Sequence, residues 1–355
     1  MTVGIGIVGT GRWAGAHARA AARSDTVRLV HCAARSQDRR AAFAAEFGID
    51  RHSPDIATLL ADPEVQAVVV STPNDLHVEM ALTTLAAGKP VLVDKPISVD
   101  LTTGLELARA VERFGIGLGV AHHPRRLAGH RAAADWLSHN DSTIRLAYAN
   151  FSNARGAAMK PDAWHRSAKG SEAGVLIQVG IHPVDTLLSL VGPAVGLNAR
   201  FSYGVVGPDI PDTAVVTMTH ASGATSVVGT NWSTPSNYTL DLLTTKGNLL
   251  FTANHAWWTK PDFDHHSELL LDVDGADPEP LALDAGDPLR DQLDELGATA
   301  LGTGEMTVDV WDGLRAMGVV LGAVESARRQ GAYLSLETAF GEAGATDAEL
   351  AILLG

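Results

Sequence analysis

The strongest constraint on this chain lies at its start, where the apolar run Val3–Val8 breaks into Gly9-Thr10-Gly11-Arg12-Trp13-Ala14. In a G-x-G-x-x-[G/A] turn the first glycine permits a tight reversal and the second lets backbone approach a pyrophosphate. The third small residue, here Ala14, lets the following helix pack closely on the strand. The unpaired N–H groups that open that helix then face the phosphates. A strand, this turn and a helix therefore predict a dinucleotide-binding opening of the Rossmann kind.

The next hundred residues fit that opening. Apolar runs at Val27–Ala33, Ala67–Val70, 90–93 and 117–121 read as strands. Helical patterns fill the gaps. One follows Ser36, carries Phe43 and Phe47 on one face and ends at Gly48. Another is predicted to start at Ser53-Pro54, and a third to run from about 75 to 87 and stop at Gly88. Strands alternating with helices, and apolar on both faces, predict a parallel doubly wound sheet, an α/β domain over 1–123. The pattern changes beyond it. After a helix at about 127–137, residues 143–251 hold strand candidates such as 214–219 and 225–230, with turns at Ser222-Gly223 and Lys246-Gly247. Residues 272–287 read as an exposed loop, and a helical pattern returns over 307–330. This predicts a second, α+β domain over 124–355 that is mostly antiparallel.

Composition narrows the function. A net charge of −14 argues against nucleic acid, whose phosphates need Lys and Arg. No apolar run approaches the roughly 20 residues of a membrane helix. The N-terminal segment reads as a strand and not as a signal peptide, and Cys32 is the single cysteine, so no disulfide framework or thiolate zinc site fits within one chain. A cytoplasmic protein without a metal is expected.

The end of the second strand chooses between nucleotides. An acidic residue there would bind the ribose 2′-hydroxyl of NAD. The chain instead reads Cys32-Ala33-Ala34-Arg35-Ser36, with Arg39 and Arg40 one turn on. Arg35 can stack on adenine and pair with a 2′-phosphate, and Ser36 can donate to the same group. NADP is therefore expected ahead of NAD, with a solvated helix start as the alternative reading of these arginines.

Three further motifs follow in order: Ser71-Thr72-Pro73-Asn74-Asp75-Leu76-His77, then Val93-Asp94-Lys95-Pro96, then Gly174-Val175-Leu176-Ile177-Gln178-Val179-Gly180-Ile181-His182-Pro183-Val184-Asp185. In this order and spacing the sequence resembles the Gfo/Idh/MocA oxidoreductases over nearly its whole length, with 310–331 similar to the family's C-terminal helix. The resemblance implies a second domain with a large open sheet, often used for homodimers or homotetramers. It also implies hydride transfer between nicotinamide and a hydroxyl carbon, commonly of a sugar or cyclic polyol. It assigns catalysis to Lys95 and His182. Asp94 stands where the family has Glu, expected to hold the nicotinamide ribose on a shorter arm. Gln178 stands where the family has Asp.

These assignments suit the chemistry. Oxidising a secondary alcohol needs a base for the hydroxyl proton, a task for which histidine is apt. A cation at the same oxygen stabilises the developing alkoxide, as Lys95 can. Lys95 follows the fourth apolar run, at the carboxyl edge where doubly wound sheets bind ligands. His182 and Asp185, three apart on a helix, share a face. Gln178 can fix an imidazole tautomer but cannot raise its pKa as a carboxylate does.

The cofactor set expected is thus Gly9, Thr10, Gly11, Arg12, Trp13, Arg35, Ser36, Ser71, Thr72, Pro73, Asn74, His77, Asp94, Lys95 and His123. His77 is expected to support the cofactor loop. Substrate candidates are Arg126, Trp164, Arg166, Gln178, His182 and Asp185, the arginines serving either a substrate carboxylate or hydroxyl, or ion pairs. His265-His266 reads as a solvated loop before a metal site, and Trp257-Trp258 as a sugar surface or an oligomer surface. Two other functions remain open at this point: a glycosidase or lyase working through transient oxidation, and a non-catalytic NADP-binding regulator.

Overall fold

The computed structural model describes residues 2–159, 172–253 and 266–355. In chain order it forms β1 (Val3–Val8), α1 (Arg12–Ala21), β2 (Val27–Ala33), α2 (Gln37–Phe47), β3 (Arg51–Ser53), α3 (Ile56–Leu60), β4 (Ala67–Val70), α4 (His77–Ala86), β5 (Val91–Val93), α5 (Leu101–Phe114) and β6 (Leu118–Val120). It continues with α6 (Ala128–His139), β7 (Ile144–Ser152), α7 (Ile181–Val191), β8 (Ala194–Ser202), β9 (Thr213–His220), β10 (Thr225–Asn231), β11 (Asn237–Thr244), β12 (Asn248–Ala253), β13 (Ser267–Asp272) and β14 (Glu279–Pro280). The chain ends in α8 (Pro288–Ala300), α9 (Val310–Arg328), β15 (Leu334–Ser335), α10 (Leu336–Glu342) and α11 (Asp347–Leu354).

Two compact units result. The first holds Met1–His123 with Asp287–Leu314, the second Pro124–Gly286 with Arg315–Gly355. The expected continuous domain over 124–355 is therefore corrected: residues 287–314 belong with the dinucleotide-type sheet. The cause is packing. Leu289, Leu293 and Leu296 form one stripe along α8 and lie in a single buried cluster with Val3, Ile5 and Val27. Burial of each such leucine contributes roughly 2 kcal/mol. Asp287 caps α8 by accepting from the Arg290 amide and takes a 2.6 Å ion pair from Arg23.

In the first unit all six strands run parallel in the order β3-β2-β1-β4-β5-β6. The chain reverses its winding between β1 and β4, the switch point beyond whose carboxyl ends such sheets take ligands. Local signals set the helices. Ser36 caps α2, which stops at left-handed Gly48 (φ 64°). The helix expected from Ser53-Pro54 starts later. Ser53 is instead the last residue of β3, pairing with Ala33, and Asp55 caps α3.

The second unit is a nine-stranded sheet, β14-β13-β12-β11-β7-β10-β9-β8-β15. Only β7 and β10 run parallel; the other pairs are antiparallel. Ser222-Gly223 and Lys246-Gly247 turn the β9–β10 and β11–β12 hairpins as expected. Strict alternation of buried and exposed residues, clearest along β9, gives the sheet one covered face. Phe151, Tyr238 and Phe251 meet edge to face there, with Phe151–Tyr238 centroids 5.5 Å apart and Tyr238–Phe251 5.9 Å. No helix among the described residues is long and apolar enough to cross a membrane.

Candidate functional site

Candidate site residues occur on both units. In the first, Gly9 has φ +110°, and a Cβ there would lie 2.0 Å from the Ser71 carbonyl oxygen. The end of β4 thus passes directly against the turn after β1, and only glycine fits. Gly11 is the reverse case. It caps α1 without any side-chain hydrogen bond, and a Cβ on it would meet nothing within 4 Å. Open space therefore lies beside the uncapped start of α1, as a pyrophosphate requires. Ala14 is fully buried beneath the turn. Arg12 lies 5.7 Å over the Trp13 ring, and Trp13 is 5.6 Å from His123. The residues present fit a dinucleotide phosphate.

At the end of β2, Arg35 is exposed, and neither residue next to it in sequence is acidic. Ser36 accepts from the Arg39 amide, so its hydroxyl hydrogen stays available to donate. Arg40 does not project outward as one of a basic cluster. Its Nη1 donates to the carbonyls of Ala34 (3.2 Å) and Arg35 (3.1 Å), bracing the loop that carries Arg35.

The loops after β4 and β5 are tied to each other. Ser71 Oγ donates to Asp94 Oδ2 at 2.5 Å. His77, only 1% exposed, spans from Pro96 O (Nδ1, 2.6 Å) to Thr72 O (Nε2, 3.0 Å). His77 thus ties the two loops together. Asn74 is buried in the same loop, Lys95 is half-buried, and the Lys95–Pro96 peptide is cis. Asp94 also meets His17 Nε2 at 2.8 Å. Burial pushes the Asp94 pKa up, but neighbouring His17 and the bonds from His17 and Ser71 outweigh it and hold the carboxyl below its ordinary value.

In the second unit, His182 is the second residue of α7. It is 2% exposed, with its ring 6.0 Å from that of Phe151. Gln178 lies in a π-helical turn, Leu176–Gly180, directly before α7. Such wide turns recur at functional sites. Asp185 shares α7 with His182, but its carboxylate is wholly buried and gripped at both oxygens by Arg125. That geometry suits a structural clamp better than the substrate contact expected for it. Arg126 is buried, 4% exposed. Trp164 and Arg166, with His165, Trp257, Trp258 and His265, lie outside the described residues. His266 is exposed, and no group of three metal-ligating side chains occurs among the described residues.

A second buried network flanks the clamp. His130 Nε2 meets Tyr238 Oη at 2.8 Å, and Thr186 Oγ1 lies 3.4 Å from the same phenol. Burial pushes the His130 pKa down to about 4, against smaller opposing effects of the Pro124 carbonyl and Asp185. The sequence reading missed His17, Gln292 and His130. Only His17 and His130 left a local signal, a titratable residue on the apolar face of a helix.

Comparison with known proteins agrees with this layout. Residues 3–122 match the model of an oxidoreductase family with an NAD-binding Rossmann fold, and residues 142–250 match the GFO/IDH/MocA C-terminal domain. The 1,5-anhydro-D-fructose reductase of Ensifer adhaerens is 30% identical over 211 residues, 58% of this chain and 62% of that protein. Inositol 2-dehydrogenase 2 of Saccharopolyspora erythraea is 28% identical, over 63% of this chain and 65% of that one. Both alignments thus span less than two thirds of the relative. Among solved structures, a candidate NADPH-dependent oxidoreductase from Desulfitobacterium hafniense DCB-2 superposes with a TM-score of 0.90 at 27% identity, covering 95% of this chain and 98% of the other.

Proposed function

Because the chain belongs to the Gfo/Idh/MocA family of NAD-binding oxidoreductases, we propose that it transfers hydride between a nicotinamide dinucleotide and a hydroxyl or keto carbon of a sugar, cyclic polyol or related small molecule. The observation that carries this reading is the turn at Gly9–Gly11, closed against Ser71 on one side and open beside the start of α1 on the other. Similarity to a 1,5-anhydro-D-fructose reductase and an inositol 2-dehydrogenase supports a carbohydrate-like substrate.

The dinucleotide, when bound, supplies the hydride donor or acceptor. Lys95, at the carboxyl edge of the parallel sheet, holds its ammonium for the substrate oxygen and stabilises the negative charge that develops there. His182 takes the hydroxyl proton in oxidation and returns it in reduction. Gln178 orients substrate or imidazole by hydrogen bonding.

NADP is placed ahead of NAD. Support comes from exposed Arg35, the free donor of Ser36, and the Arg40 brace that holds the Arg35 loop in place. Fluorescence titration with NADPH and NADH checks this; tighter binding of NADH overturns it.

Self-association through the open sheet completes the proposal. Its uncovered face presents Tyr148 (42% exposed) and Val215 (45%). Tyr148, Val227 and Thr217 form one cross-strand row, and Asn150, Gly229 and Val215 the next. Light scattering should find a homodimer or homotetramer that Val215→Glu weakens. For the activity itself, a panel of sugars and polyols is followed at the absorbance of reduced nicotinamide with each cofactor. Net signal supports a dehydrogenase. Substrate turnover without net signal overturns it in favour of transient oxidation, and tight cofactor binding without any turnover overturns it in favour of a regulator.

A further inference from the structure

Asp94 belongs to a largely buried chain of side chains that joins α1, the ends of β4 and β5, and α8. Its Oδ1 lies 2.8 Å from His17 Nε2 on α1, and its Oδ2 2.5 Å from Ser71 Oγ after β4. His17 is 1% exposed, and its Nδ1 faces Gln292 Nε2 at 3.4 Å; Gln292 is fully buried on α8. The donors and acceptors agree around the carboxylate. An ionised carboxylate only accepts, so Ser71 donates its hydroxyl hydrogen and His17 carries a proton on Nε2. An aspartate also reaches one methylene less than a glutamate, which keeps this carboxylate back among the segments it joins.

We infer that Asp94 is an internal strut and His17 its positioning residue. Together they hold the loops after β4 and β5 against α1, so that the phosphate turn and the backbone carrying Lys95 keep one geometry. Asp94 is then not the ligand of the nicotinamide ribose. This rests on the proposed use of a nicotinamide dinucleotide. The two roles predict different nucleotide behaviour. A ribose ligand affects only a nucleotide that has the nicotinamide ribose. A strut affects every nucleotide whose pyrophosphate sits in the Gly9–Gly11 turn.

The experiment measures dissociation constants of NADPH, NADH and ADP for the full chain and for His17→Leu, His17→Gln, Asp94→Asn and the His17→Leu/Asp94→Asn double variant, each checked by thermal melting. Losing a buried hydrogen bond to a charged group predicts about tenfold weaker binding for His17→Leu. His17→Gln, whose amide can still donate to Asp94, should recover most of it. The weakening should be similar for ADP and the full dinucleotides, and His17→Leu should add nothing once Asp94 is Asn. Wild-type affinity in His17→Leu, independent effects in the double variant, or an Asp94→Asn loss confined to the full dinucleotides overturns the inference. If His17→Leu does not fold, His17→Gln against Asp94→Asn decides by the same ADP comparison. Wild-type protein that binds neither NADPH nor NADH overturns the cofactor reading itself, and this inference with it.

Discussion

Arg125 grips Asp185 through two parallel hydrogen bonds, Nε to Oδ2 at 2.9 Å and Nη2 to Oδ1 at 2.7 Å. The carboxylate has no exposure and the guanidinium 11%. Three residues from His182, this clamp fixes α7 to the segment that precedes α6. Removing one partner takes away the opposite charge that faces a buried one. Arg125→Leu is therefore expected to lower stability by about 3–5 kcal/mol, read as a shifted urea midpoint. Arg125→Leu/Asp185→Leu, which removes both charges, should recover much of the loss. A double variant no more stable than the single one would show that the ion pair is not what matters there.

Acid should weaken the second unit through His130. Its pKa falls from an ordinary 6.5 to about 4 in the fold because the neutral ring is buried against Tyr238. Between these two values the unfolded chain binds the extra proton and the folded chain does not. Stability from this group is thus complete above about pH 6.5 and declines as pH falls toward 4. The full loss is on the order of 3 kcal/mol. Denaturation midpoints from pH 7.5 to 4.5 measure it. His130→Gln, which keeps an acceptor for the Tyr238 hydroxyl but does not titrate, should flatten that part of the curve.

The features legible in sequence are those written locally. The Gly9 turn, the Ser36 cap and the Gly48 stop each need only a few neighbouring residues, and all three form as expected. Strand β3 was not legible. Arg51–Ser53 is short and polar, and it is a strand because His31, Cys32 and Ala33 are there to pair with it. The return of residues 287–314 to the first unit was hidden for a related reason. The stripe Leu289, Leu293, Leu296 specifies a buried helix face, but nothing in it says which core receives that face.

The same divide runs through the site. Motif residues such as Ser71, His77 and Asp94 could be named from their spacing, but their partners could not. Asp185 meets a residue sixty positions earlier, and His17 reaches Asp94 across seventy-seven. Proximity on one helix placed Asp185 beside His182, but it says nothing of a guanidinium arriving from elsewhere.

The two glycines of the cofactor turn should fail in different ways. Gly9→Ala places a Cβ against the Ser71 carbonyl at a positive φ. A cost of about 3 kcal/mol in stability is expected, visible as a lowered melting temperature without any ligand. Gly11→Ala enters open space and should melt like the parent. Its methyl instead occupies the space proposed for the pyrophosphate, so binding of NADPH and NADH should weaken at least tenfold. Unchanged nucleotide affinity in Gly11→Ala would remove the main support for placing phosphate there.

Gln178 offers the sharpest test of His182. Gln178 sits in the wide turn that leads into α7, and His182 is the second residue of that helix. A base must be deprotonated to accept the hydroxyl proton, so the acidic limb of the oxidation profile should follow the His182 pKa. Replacing the neutral amide with a carboxylate favours the protonated imidazole, raising that pKa by about one unit or more if the two side chains meet. Gln178→Asp should then move the limb to higher pH, making the variant slower than the parent in mild acid and closer to it in mild alkali. His182→Ala should lose turnover by roughly 10²-fold or more while still binding the dinucleotide. A profile that Gln178→Asp leaves in place means the two side chains do not interact, and near-normal turnover in His182→Ala assigns the proton to another group.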